Sequence, residues 1–187
     1  MLTMTDATKA FDLVKETYGP LIRPELTKKK ASDVYVFCNE LEFATWFQMT
    51  YVTAFKKANA TLIPDLIEPT DINGFVNAEA DYDARRVYIP PRDHIKWGTL
   101  VHEAIHYFSN KDFYPIFYKE GGMRPFQVEG ATEYLTRMTH PTLENRQNYQ
   151  AHFLKTKSWL GADKANYNRM CSFLFRGIAT NLDAIHP

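Results

Sequence analysis

Leu100-Val101-His102-Glu103-Ala104-Ile105-His106-Tyr107-Phe108 is the stretch on which the reading of this chain turns. Its apolar residues recur at helical spacing. Upstream, Trp97 continues the same period, Pro90 and Pro91 close off the preceding segment, and Asp93 is placed to cap. The spacing predicts a helix over His94 to Phe108, ending near Asn110. Two histidines four residues apart then lie one above the other on one face, where both imidazoles can reach a single ion.

Neutral imidazole is the commonest zinc ligand, and a catalytic zinc takes three protein ligands and leaves a fourth position for water. His102 and His106 are therefore one ligand short. Glu103 is rotated about 100° around the helix. From there it is poorly placed to ligate but well placed to take a proton from a water.

Glu129-Gly130-Ala131-Thr132-Glu133-Tyr134 stands at the expected start of a further helix, and 22 residues separate Glu129 from His106, enough for the chain to reverse. Glu129 can supply the missing ligand. Glu133, one turn later, can accept the free ring N–H of a ligating histidine and fix its tautomer.

An HExxH helix followed by a helix carrying Glu-Gly-x-x-Glu-Tyr resembles the gluzincin branch of the zincin metallopeptidases, which includes thermolysin and aminopeptidase relatives. The resemblance runs over roughly residues 74–134. It implies a zinc site with His102, His106 and Glu129 as ligands, Glu103 as general base and Glu133 behind a ligand histidine. Val128 stands where that branch commonly carries Asn, and the gap before Glu129 is a few residues longer, which sets the chain outside the best-known subfamilies. The resemblance further implies an edge strand that binds substrate backbone, for which Gly74 to Asn77 is the candidate. Amide hydrolysis in a protein or peptide substrate is the implied reaction. Tyr149, then Tyr118, His140, His152 and Arg137, are the candidates for stabilising the oxyanion.

Each of these residues has an ordinary reading too. A histidine pair on an amphipathic helix is common surface decoration, Glu129 and Glu133 could form a solvated face, and a tyrosine is usually packing. Two rival functions follow: a non-catalytic interaction module stabilised by zinc, and a regulatory protease specific for one intracellular partner.

The rest of the chain supplies the frame. Asp6 can cap a first helix with Phe11, Val14 and Tyr18 on one face, stopped by Pro20. Asp33 to Cys38 reads as a strand with Val34, Val36 and Cys38 inward. Leu41 to Phe55, rich in Phe43, Trp46, Phe47 and Tyr51, reads as a largely buried helix. After a Pro-punctuated stretch (Pro64 to Pro69), Gly74 to Asn77 and Arg86 to Ile89 read as neighbouring strands around the acidic segment Glu79 to Asp83, a faint pointer to basic substrates. Beyond Gly121 and Gly122, helices are predicted over Gln127 to Met138, Glu144 to Leu160 and Lys164 to Leu182. The fold expected is α+β and zincin-like: one domain over residues 1–187, with a small, twisted, mainly antiparallel sheet above the His94 to Phe108 helix and a helical C-terminal half.

Charge bounds the partners. Lys and Arg number 22, as do Asp and Glu, so no net charge draws the chain to nucleic acid or an anionic membrane, and Lys28 to Lys30 read as a solvated loop. No run reaches the roughly 18 apolar residues that span a bilayer, and Met1 to Asp6 lack a signal-peptide core. The expectation is a chain acting in the cytoplasm of the producing cell, or one delivered without a leader, as a toxin or effector domain within a larger secreted polypeptide or assembly. Cys38 and Cys171 read as small buried residues, with a bridge between them left open.

Overall fold

The structure is a computed structural model that describes residues 1–57, 73–76, 84–110 and 125–177, with the side chains of 50–57 and 125–127 outside the description. Among the described residues it is α+β and mostly helical. The elements are α1 (Met4–Tyr18), α2 (Pro24–Thr27), α3 (Ala31–Val34), β1 (Tyr35–Phe37), α4 (Glu40–Lys57), β2 (Phe75–Val76), β3 (Val87–Ile89), α5 (Trp97–Phe108), α6 (Pro125–Thr139), a 3-10 turn at Pro141–Leu143, α7 (Gln150–Leu160) and α8 (Lys164–Arg176).

α5 is the centre of the packing. Every residue from Gly98 to Phe108 is buried, because α1 and α6 cover two of its sides while β2 and β3 lie against it. A helix apolar or enclosed all round belongs in a core. Its α1 side is aromatic: Phe11 lies 4.7 Å from Phe108 and 5.8 Å from Tyr107, ring centre to ring centre. The Tyr35 hydroxyl donates to the Leu100 carbonyl at 2.6 Å, tying β1 to the same helix.

The sheet has the order β1-β3-β2. β2 and β3 pair antiparallel, Phe75 opposite Tyr88 and Val76 opposite Val87, as neighbouring strands were expected to. β1 and β3 pair parallel, Tyr35 beside Val87 and Phe37 beside Ile89. The sheet is therefore mixed and not mainly antiparallel. Parallel strands need a crossover, and α4, which follows β1 in sequence and packs against β3, lies within it.

Several boundaries differ from the sequence reading for local reasons. Thr3 caps α1, accepting from the Asp6 N–H, while Asp6 accepts in return from the Thr3 N–H at 2.9 Å, so Asp6 is the second half of a capping box. In α3 the Asp33 carboxylate accepts the Lys30 N–H at 3.2 Å, which winds Asp33 and Val34 into a helical turn and shortens the expected strand. Tyr35 thereby becomes the inward residue of β1, and Val36 is only half-buried. At α5 the Ile95 N–H donates to the Arg92 carbonyl at 3.2 Å, closing a turn over Asp93 and His94, and the helix starts one turn later, behind Lys96.

Over its described side chains, residues 40–49, α4 buries one face. Phe43 and Phe47 are inside, whereas Leu41, Trp46 and Met49 are exposed, and the Tyr51 side chain lies outside the description. Cys38 packs with Phe43 and Tyr88, and both cysteines are buried and free. The expected Glu144 to Leu160 helix begins only at Gln150, because Tyr149 adopts the left-handed conformation at φ 51°. α8 ends at Arg176 with Gly177 left-handed. Its expected extension to Leu182 lies outside the described residues, as do Pro64 to Pro69, Glu79 to Asp83, Tyr118, Gly121 and Gly122. Among the described residues no helix is long and apolar enough to cross a membrane.

Candidate metal centre

α5 and α6 face each other with their polar residues inward. On α6, Glu129, Thr132, Glu133, Thr136 and Arg137 recur at helical spacing, and all but Glu129 are fully enclosed. Gly130 is what lets α7 come close: a Cβ there would collide with the His152 carbonyl and the Thr156 hydroxyl. The pairing of these helices brings His102, His106 and Glu129 together, as the sequence predicts.

The three donor atoms form a near-equilateral triangle. His106 Nε2 is 3.0 Å from His102 Nε2 and 3.3 Å from Glu129 Oε2, and His102 Nε2 is 3.1 Å from the same oxygen. Ligands about 2.0–2.2 Å from a tetrahedral zinc stand roughly 3.3–3.6 Å apart, so the triangle needs to open by only a few tenths of an ångström. Among the described residues this is the cluster of histidine and carboxylate groups able to hold a metal ion.

The outer nitrogens determine what the inner ones can offer. His102 Nδ1 lies 3.2 Å from Glu133 Oε2, and a carboxylate can only accept, so the ring N–H points at Glu133 and, in the neutral ring, Nε2 presents a lone pair inward. His106 Nδ1 is 3.4 Å from the Thr132 hydroxyl. Two imidazole Nε2 atoms and a carboxylate oxygen thus converge on one point, an arrangement that asks for a cation or a proton. The charges agree: burial pulls the His102 imidazole down, but the bonds to Glu129 and Glu133 outweigh it and push it up to about 9. Burial likewise pushes Glu129 up, and His106 and His102 overcome it and hold the carboxyl well below its usual range. The donor set, two imidazoles and a carboxylate oxygen, fits zinc.

Glu103 is buried beside the triangle. Burial raises its carboxyl above the ordinary range, against the pull of His106 and His102, the direction a general base working near neutrality requires. Gly74, just before β2, makes its space: a Cβ there would stand 3.1 Å from Glu103 Cγ and 2.9 Å from Ile89 Cδ1.

Comparison with protein-family models, curated proteins and solved structures finds no match. What the site can do has to be read from its own residues. Of the oxyanion candidates, Tyr149 comes to the metal triangle. Its ring stacks on His102 at 5.1 Å with 8° between planes, it remains 41% exposed, and the nearby Glu129 charge raises its hydroxyl so that it stays protonated. His152 flanks Tyr149 at 6.0 Å. His140 is engaged elsewhere, with Thr142 at 2.8 Å and edge-on to Trp97. Arg137 is buried and donates to Glu133 at 2.9 Å, so it serves the carboxylate behind His102.

Arg146, Thr132 and the packing role of Gly74 went unrecognised in the sequence. Arg146 donates to both Glu133 oxygens, Nε at 3.1 Å and Nη2 at 3.3 Å, and crosses α5 at Gly98, where any Cβ would strike its guanidinium. The polar stripe from Glu129 to Arg137, at i, i+3, i+4, i+7 and i+8, was the available signal for Thr132, since an enclosed helix rarely carries such a face without a use.

Proposed function

We propose that this chain is a zinc-dependent metallopeptidase of the gluzincin kind, with His102, His106 and Glu129 holding the metal and Glu103 acting as general base. The observation that carries the reading is the 3.0–3.3 Å triangle of His102 Nε2, His106 Nε2 and Glu129 Oε2 with a buried carboxylate beside it. Zinc held by such a set supplies Lewis-acid polarisation of an amide carbonyl and lowers the pKa of a water in its open position.

Glu103 accepts the proton of the attacking water and hands it to the leaving amine. Gly74 keeps room for that carboxylate to move. Tyr149, its hydroxyl protonated and its ring against His102, donates to the developing oxyanion, a contribution of about 3 kcal/mol in comparable sites. β2 lies at an edge of the sheet among the described residues, and its backbone pairs with an extended protein or peptide substrate.

A structural zinc site closes with four protein ligands and has no need of a base. Three convergent donors among the described residues, and the cost of enclosing Glu103 next to them, favour catalysis over a zinc-stabilised interaction module. The test is hydrolysis of a broad peptide library by zinc-loaded protein beside Glu103→Gln. Cleavage by the wild type, reduced about 10²–10⁴-fold in a variant that still holds zinc, is expected; equal cleavage by both, or cleavage by neither, contradicts the reading.

A further inference from the structure

Glu133 carries more counter-charge than its own burial requires. Arg137, one turn along α6, already donates to Oε1 at 2.9 Å. A second guanidinium, Arg146, arrives from a different segment and reaches both oxygens, at 3.1 and 3.3 Å. Arg137 in turn reaches into that segment, donating Nη1 to the Gln150 side chain at 2.9 Å and Nη2 to the Asn148 carbonyl at 3.0 Å. The loop from Asn145 to Gln150 is thus fastened to one carboxylate from both directions.

The same carboxylate accepts from His102 Nδ1 at 3.2 Å. The same loop holds Tyr149 in its left-handed conformation, flat against a face of the His102 ring. His102 is therefore gripped at its ring nitrogen and on its face by two groups that share a single anchor.

We propose that Arg146, through Glu133, is a positioning residue that couples the orientation of the metal ligand His102 to the seating of the Tyr149 loop. The proposal rests on the metal-site reading above and assigns no chemical step to Arg146. A bidentate guanidinium fixes both oxygens of its partner in one plane. With Arg146 in place, Glu133 presents Oε2 to His102 in one direction only. Without it, Glu133 can turn about its remaining bond to Arg137, the His102 ring loses its fixed tautomer and plane, and the loop loses one of its fastenings.

The measurement is made on the full chain, with zinc affinity read by competition against a chromophoric chelator and backbone exchange of residues 145–150 read by hydrogen–deuterium mass spectrometry, with and without zinc. In the wild type, zinc slows exchange in this loop. In Arg146→Ala, zinc binds about tenfold more weakly, as expected when a partner behind a ligand is lost, and the loop exchanges fast whether or not zinc is present. Unchanged affinity in Arg146→Ala, or weakened affinity with a loop that zinc still slows as in the wild type, overturns the coupling. Should that variant not fold, the wild-type measurement decides alone, since loop exchange that zinc leaves untouched also overturns it. A wild type that takes up no zinc overturns both this coupling and the proposed function, whereas zinc uptake without peptide hydrolysis removes the peptidase reading and leaves the coupling standing.

Discussion

α1 and α6 are each 15 residues long and both lie on α5, and both send apolar residues into the core, but α6 also buries a polar stripe that α1 lacks. α1 presents Ala7, Ala10, Phe11, Val14 and Tyr18. α6 presents Thr132, Glu133, Thr136 and Arg137, with Glu129 partly open to solvent at the site. The first is a foundation whose burial stabilises without direction, at about 25 cal/mol per Å² of apolar surface. The second is a set of polar groups that hold their places only because each has a partner, and whose value is in where they point. α5 can serve as a metal-binding helix because one side is fixed by packing and the other carries the donor atoms.

The contrast can be broken by exchanging the losses. Phe11→Ala removes a fully buried ring that touches Tyr107 and Phe108 and should lower stability by about 4 kcal/mol in urea unfolding, while the folded fraction still binds one zinc per chain. Zinc lost from folded Phe11→Ala would show that the two sides of α5 are not separable. Glu133→Gln should do the reverse. Zinc affinity falls about 10–100-fold by chelator competition, since a neutral amide can present its NH2 to His102 and no longer holds two arginines.

A smaller effect separates the two sides by pH. His102 in the metal-free protein sits at about 9, above its ordinary 6.5. A raised folded value stabilises fully below the unfolded one and is lost as pH rises through the folded one. Metal-free protein should therefore lose on the order of 2 kcal/mol between pH 6.5 and 9, read as the shift in urea midpoint in chelator. With saturating zinc the loss should vanish, because the ligand has already given up its proton. An identical pH slope with and without zinc would mean that His102 does not face the metal.

Much of the site was legible because it obeys one-dimensional spacing. His102 and His106 share a face by the helical period, Glu103 falls beside them, and Glu129 and Glu133 repeat the interval on α6. The Arg146 contact to Glu133 spans 13 residues across a 3-10 turn, and no periodicity encodes it. The parallel β1–β3 pairing is longer-range still, and alternation does not report strand direction, so the expectation of a mainly antiparallel sheet failed there. Asp6 and Asp33 were read as a cap and a strand start, but each is spent on a backbone N–H three residues earlier, a local competition that hydrophobic pattern does not report.

The most direct test of the central claim is zinc content by elemental analysis of purified protein beside His102→Ala and Glu129→Ala. One zinc per chain in the wild type, lost from both variants while they remain folded, is the predicted result. Zinc absent after reconstitution, or retained in full by Glu129→Ala, would contradict it.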